Sequence, residues 1–317
     1  MIKRYLLFLL FILFNFLSCT DKNPSEVENT FPAGINGETS FQYTYIGKAP
    51  IHTQSSMLTG YKSKLYRFGS KWPVQVIDLN TKEWTQIPLP DSSFWRWDGL
   101  AVTVGDIIYI VAVSIESNSY DIIKLNPDSL KFEHTNINLP KLFHYPAYCV
   151  DKENIVFLSA GYDSVYEYNT INNSLKKIAD NPFYRLNDTF MSLSSGKYEN
   201  YLYVIGKTPN LESNLFCRLD LDQNVWEEID IPKTIDEKSV IGSVFSDNFY
   251  LLADTVLVYE YSFNESKWYQ ADEEVPIFPV SLQENPMLKT EWSFYSEGEN
   301  LYGTETVNDN IWEISKY

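Results

Sequence analysis

The chain has 317 residues, 44% hydrophobic and 21% charged, with 25 Lys and Arg against 42 Asp and Glu, a formal net charge of −17. So acidic a protein argues against nucleic acid as a partner and against an electrostatically held membrane surface. Three cysteines and three histidines exclude a disulfide scaffold, and neither a metal nor a cofactor is expected.

Taken in order, the first element is a leader. Lys3 and Arg4 precede an apolar run from Tyr5 to Phe16, of signal-peptide length and too short to span a bilayer comfortably. It ends in Phe16-Leu17-Ser18-Cys19. That ending resembles the lipobox of bacterial lipoproteins, with Phe16 where leucine is usual. The resemblance implies cleavage after Ser18 and acylation of Cys19. An ordinary signal peptide with an incidental cysteine is the alternative. Residues 20–40 are polar, carry Pro24, Pro32, Gly34 and Gly37, and show little periodicity. They read as a tether of about 25 Å root-mean-square span. The expected organisation is therefore signal peptide 1–18, tether 19–40 and one globular head 41–317.

The head is a repeat. Pro50, Pro90, Pro140, Pro182, Pro232 and Pro276 recur 40 to 50 residues apart, a period belonging to stacked or radial units. The stretch Lys64–Pro90 shows the plan as three strands, two of them alternating. An aromatic-led strand precedes most of the prolines, starting at Trp84, Phe132, Trp226 and Trp268, with Leu175 in the third unit. Proline donates no N–H, so at the end of an outer strand it blocks edge pairing. Four-stranded units repeated radially make a β-propeller. Six units are counted, and the last lacks a fourth strand after Ile311–Tyr317. Phe41–Gly47 is predicted to supply it and close the ring.

These units resemble the kelch-type propeller, best at Tyr66-Arg67-Phe68-Gly69 and from Asp78-Leu79-Asn80 to Trp84. The resemblance covers residues 41–317 and implies an all-β, six-bladed β-propeller. The kelch double glycine is absent, with single glycines at Gly69, Gly161 and Gly206. A WD40 assignment is weaker, because Trp97-Asp98 falls in a predicted loop. Cys149 and Cys217 lie on predicted strands of different units and read as small core residues.

Function is expected on one face. Connections from one unit's outer strand to the next unit's inner strand gather there, with the loops between second and third strands. They bring His52, then Trp95, Arg96 and Trp97 after Pro90. They also bring His144 and Tyr145 after Pro140, Tyr184 and Arg185 after Pro182, and Trp292 after Pro276. Trp72, Glu116, Tyr162 and Asn214 join from the other loops. Loops on a rigid scaffold carry binding, and aromatic planes with arginine suit sugars or extended peptides. The competing reading wedges such aromatics between blades. The strand aromatics Trp84, Phe132, Trp226 and Trp268 recur once per unit and read as packing residues.

Catalytic signatures are missing. No sialidase box, GxSxG, HExxH or phosphate-binding glycine loop is found. Asp220 to Asn224 begins like a calcium loop but has Val225 at the glycine position and Ile231 at the glutamate, so a hairpin turn is expected. Asp98, Asp188, Glu237, Glu284 and Glu291 fall on the expected face and would permit glycosidase chemistry if two were suitably spaced. Asp128-Ser129-Leu130, Asp163-Ser164-Val165 and Asp254-Thr255-Val256 resemble O-glycosylation acceptors of some Gram-negative envelope proteins. The leading expectation is a non-enzymatic lipoprotein with a monomeric head that binds a glycan or protein, touching the membrane only through its lipid. A sugar-active enzyme on the same face, of mutarotase, epimerase or glycosidase type, is the alternative. A purely structural role is third.

Overall fold

A computed structural model of the chain describes residues 41–53, 56–69, 72–89, 95–114, 120–139, 146–184, 193–207, 213–235, 240–253, 257–270, 292–297, 300–305 and 309–316. The leader, the tether and Cys19 lie outside the described residues. The described residues form six antiparallel four-stranded sheets. Blade 1 holds β2 (Ser56–Tyr61), β3 (Lys64–Gly69), β4 (Val74–Asp78) and β5 (Trp84–Ile87). Blade 2 holds β6 (Trp95–Val104), β7 (Ile107–Ser114), β8 (Tyr120–Asn126) and β9 (Lys131–His134). Blade 3 runs β10 (Ala147–Asp151), β11 (Asn154–Leu158), β12 (Ser164–Asn169), β13 (Ser174–Asp180). Blade 4 runs β14 (Ser194–Tyr198), β15 (Tyr201–Lys207), β16 (Asn214–Asp220), β17 (Val225–Ile229). Blade 5 runs β18 (Val240–Phe245), β19 (Asn248–Ala253), β20 (Leu257–Ser262), β21 (Lys267–Gln270).

Blade 6 closes the ring. Its strands β22 (Trp292–Glu297), β23 (Asn300–Glu305) and β24 (Asn310–Lys316) are joined on the outside by β1 (Phe41–Lys48). Phe41 faces Lys316 and Lys48 faces Asn310, with a bulge between Tyr45 and Gly47. The predicted join between the opening and closing strands is present. The first strands of successive blades touch one another around the ring, and β22 touches β2.

Hydrophobic burial is organised by seams. Met57, Phe68 and Val76 of blade 1 pack with Ile108, Ile110 and Leu125 of blade 2. Cys149 of blade 3 and Cys217 of blade 4 share another seam. Ile46, Tyr302 and Ile311 of blade 6 meet Leu58, Leu65 and Ile77 of blade 1. Both faces of a blade are covered by its neighbours, so inner strands are buried on both sides. The alternation expected of β3 and β4 gives way for that reason: β3 is buried from Leu65 to Gly69, and β4 from Val74 to Ile77. Exposed residues recur mainly on outer strands such as β9 and β13.

The hairpins between third and fourth strands share one local design. The side-chain oxygens of Asp78, Asn126, Asn169 and Asp220 each accept the amides two and three residues on. Ser262 accepts from Glu265 in the same role. Four residues after each of these comes a residue at positive φ: Lys82, Leu130, Asn173, Asn224 and Ser266. Six residues after comes Trp84, Phe132, Leu175, Trp226 or Trp268. An Asx turn followed by one left-handed residue reverses the chain and sets the outer strand's register. Asp220 is thus occupied by the amides of Asp222 and Gln223, as expected of a hairpin turn.

That register aims the outer-strand aromatics at the preceding blade. Trp226 Nε1 donates to the Asp180 carbonyl (2.7 Å) and Trp268 Nε1 to the Asp230 carbonyl (2.9 Å). Phe132 and Trp84 pack into the seams of blades 1 and 6. These residues are mortar between blades, as the sequence indicated.

Candidate functional site

Two faces follow from the strand directions. The hairpin face carries the Asx turns. The crossover face carries the outer-to-inner connections and the loops after second strands. On the crossover face, the best-described corner is the seam between blades 6 and 1, where the chain leaves β1 and enters β2.

Glutamine and arginine hold that crossover. Ile51 N–H donates to Gln75 Oε1 (2.9 Å), and its carbonyl accepts from Gln75 Nε2 (3.1 Å) and Arg67 Nη1 (3.1 Å). Arg67 Nη2 donates to Asp309 Oδ1 at 2.6 Å, with the Arg67 side chain fully buried and Asp309 5% exposed. Burial pulls the Arg67 guanidinium below its ordinary value, against the opposing pull of Asp309. A buried arginine between a carbonyl and a carboxylate stays charged by being paired. Asp309 sits at positive φ (60°), and its carbonyl accepts the Ala49 amide (2.8 Å). Its carboxylate also takes the Thr53 amide at a longer 3.4 Å.

Above this buried pair stands His52. Its Nδ1 lies 2.8 Å from Asp309 Oδ2, while the side chain is 62% exposed. An ionised carboxylate only accepts, so Nδ1 donates to Asp309. One residue on, Thr53 presses against Gly69: a Cβ on Gly69 would lie 2.1 Å from Thr53 Cγ2. Only glycine fits the end of β3 there. Trp72, 46% exposed, follows on the next turn, its amide bonded to the Gly69 carbonyl (3.3 Å). His52 thus adjoins the Thr53 side of this contact and Trp72 is tied to its Gly69 side.

Other expected site residues divide. Trp95, Arg96 and Trp97 are not in a loop: they open β6, paired with Ser114, Val113 and Ala112. The register slips between Trp97 and Ala101, and Gly99 takes a positive φ, so the strand starts earlier than the predicted loop allowed. Asp98 lies in that same irregular stretch of β6. Trp292 opens β22 opposite Glu305. Tyr184 is half-buried, its amide bonded to the Asn181 carbonyl. Tyr162 is buried and packs edge-on to Tyr166, a wedge between blades. Asn214 is buried too, and its Nδ2 donates to the Ile235 carbonyl (2.5 Å), pinning a crossover. His144, Tyr145, Arg185, Glu116, Asp188, Glu237, Glu284 and Glu291 lie outside the described residues.

Sequence reasoning missed Arg67, Gln75 and Asp309, which the fold brings together from 242 residues apart in the case of Arg67 and Asp309. The signal for Arg67 was its charge in the otherwise apolar run Leu65-Tyr66-Arg67-Phe68. Cys149 and Cys217 are buried free thiols pushed up to about 12 by burial, protonated and inert at neutral pH. Ser164 is buried and bonds Asp163, so its triplet offers no accessible hydroxyl. Ser129 is exposed on its hairpin, and Asp254-Thr255-Val256 lies outside the described residues. Among the described residues no helix is long and apolar enough to cross a membrane.

No protein-family model and no curated protein matches the chain. Solved structures do. The protein YjhT is 10% identical, covering 83% of this chain and 94% of its own, with a TM-score of 0.59. An oligogalacturonate lyase in complex with manganese is 10% identical over 89% of this chain and 81% of its own, TM-score 0.53. An auxiliary nutrient binding protein from Bacteroides thetaiotaomicron is 11% identical over 87% and 73%, TM-score 0.52. The chain is a six-bladed β-propeller. At these identities the likeness is one of fold, and propellers of this kind host both binding and catalysis.

Proposed function

We propose that this propeller is the head of an envelope lipoprotein that binds a glycan or a protein through its crossover face. The head, residues 41–317, would be monomeric, held by a tether over residues 19–40 to a lipid on Cys19 after loss of the signal 1–18. Phe16-Leu17-Ser18-Cys19 supports the anchor, and equal fatty-acid labelling of wild type and Cys19→Ser would remove it. Tyr66-Arg67-Phe68-Gly69 and the stretch from Asp78-Leu79-Asn80 to Trp84 support a kelch-like subtype, and the missing double glycine is its departure.

The observation that carries the binding reading is exposed His52 on a base that Gln75, Arg67 and Asp309 make rigid, with exposed Trp72 tied to Gly69 beside Thr53. A preorganised aromatic and hydrogen-bonding corner loses little entropy on meeting a ligand. Trp95, Arg96, Trp97, His144, Tyr145, Tyr184, Arg185 and Trp292 extend the proposed surface. A glycan array and a thermal-shift screen on the Cys19→Ser chain test it. Trp72→Ala is expected to weaken binding about fivefold, given roughly 1 kcal/mol for an aromatic contact. Binding indifferent to His52→Ala, Trp72→Ala, Trp95→Ala, Trp97→Ala and Arg185→Ala places the site elsewhere.

One observation favours the sugar-active enzyme as a second reading. An exposed imidazole oriented through Nδ1 by a buried carboxylate has the geometry of a general base. Turnover of any sugar that His52→Ala abolishes without lowering the melting temperature would select this reading over binding alone.

A further inference from the structure

The direction of β1 divides the two faces between two tasks. Phe41 pairs with Lys316 and Lys48 with Asn310, so β1 runs towards the crossover face, where Ala49 meets Asp309. Its starting end lies at the hairpin face, the side of the Asx turns at Asp78, Asn126, Asn169 and Asp220. The forty residues that precede Phe41, Cys19 among them, therefore join the head on the face opposite His52 and Trp72.

We infer that the head stands with its hairpin face towards the bilayer and presents the His52–Trp72 corner outward. The inference rests on the lipoprotein reading for the anchor and on β1 for the orientation. Its consequence is a choice of partner. The crossover face is then open to a partner arriving from the side away from the anchoring leaflet, and not to a headgroup of that leaflet. A strand of five to eight residues at about 3.3 Å each puts the two faces roughly 20 Å apart. The outward corner is thus lifted by the thickness of the head as well as by the tether.

The test uses the mature lipidated chain in phosphatidylcholine vesicles doped with a rhodamine lipid. Single donor dyes are placed at Ile171→Cys, on the hairpin face and 79% exposed, or at Lys233→Cys, exposed in the crossover turn Lys233–Ile235. Cys149 and Cys217 are buried and stay unlabelled. Energy transfer to the vesicle is expected to be about twofold greater from position 171, for a difference of ~20 Å in height. Equal transfer, or more from position 233, overturns the assignment of faces. Vesicle binding and transfer that survive Cys19→Ser overturn the lipid anchor instead. The two failures are thereby separate.

Discussion

Arg67→Met tests the lock beneath the candidate site. The substitution keeps the volume of the aliphatic stem but leaves Asp309, only 5% exposed, as a buried carboxylate without its cation. The Ile51 carbonyl would keep its bond from Gln75, so the loss falls mainly on the charge. Breaking one partner of a buried ion pair costs about 3–5 kcal/mol. In a chain of this size that lowers the melting temperature by roughly 10 °C. Because Asp309 also holds His52 and the Thr53 amide, hydrogen exchange should quicken first over residues 49–53 and β1. Arg67→Met combined with Asp309→Asn removes both charges and should recover most of the loss, since neutral replacement of a buried pair is often harmless. A single variant that melts within ~1 kcal/mol of wild type would refute the reasoning. So would a double variant no better than the single, which would mean that packing and not charge pairing sets the cost.

Three further outcomes are expected. Gly69→Ala forces a methyl to within 2.1 Å of Thr53 Cγ2 and should cost about 1–3 kcal/mol by overpacking, partly restored by Thr53→Ser, in thermal denaturation. Deleting residues 41–48 strips blade 6 of its outer strand and the seam with blade 1 of Ile46. The bare edge of β24 should drive association, visible as higher mass by light scattering. Acid should weaken the hairpins. Asp78 is held below its ordinary 3.8 by the amides of Thr81 and Asn80, and Asp128 by Lys62 and then Tyr61. A carboxyl whose folded pKa is depressed stabilises the fold above its unfolded value and loses that contribution as pH falls through the folded one. Melting temperature should therefore drop below pH ~4, and less steeply in Asp78→Asn. That variant keeps the turn, because asparagine already fills the position at Asn126 and Asn169.

The sequence by itself determined the number of blades, the closing strand and the hairpins. Each depends on short-range physics: an Asx oxygen reaching amides two and three residues away, one left-handed residue, and a proline with no proton to donate. Such features repeat wherever the local residues repeat, and Trp84, Phe132, Trp226 and Trp268 could be read as packing because they kept step with them. Only the tertiary structure decided what happens between blades. In the sequence Arg67 is only a charge within the apolar run Leu65-Tyr66-Arg67-Phe68. Blade 6 covers its side of blade 1, so the guanidinium is buried and must find Asp309 far along the chain. The same enclosure hides Tyr162 and Asn214, while leaving His52 and Trp72 in the open. A burial that both neighbouring sheets must create together has no local signature, and the candidate site is built on one.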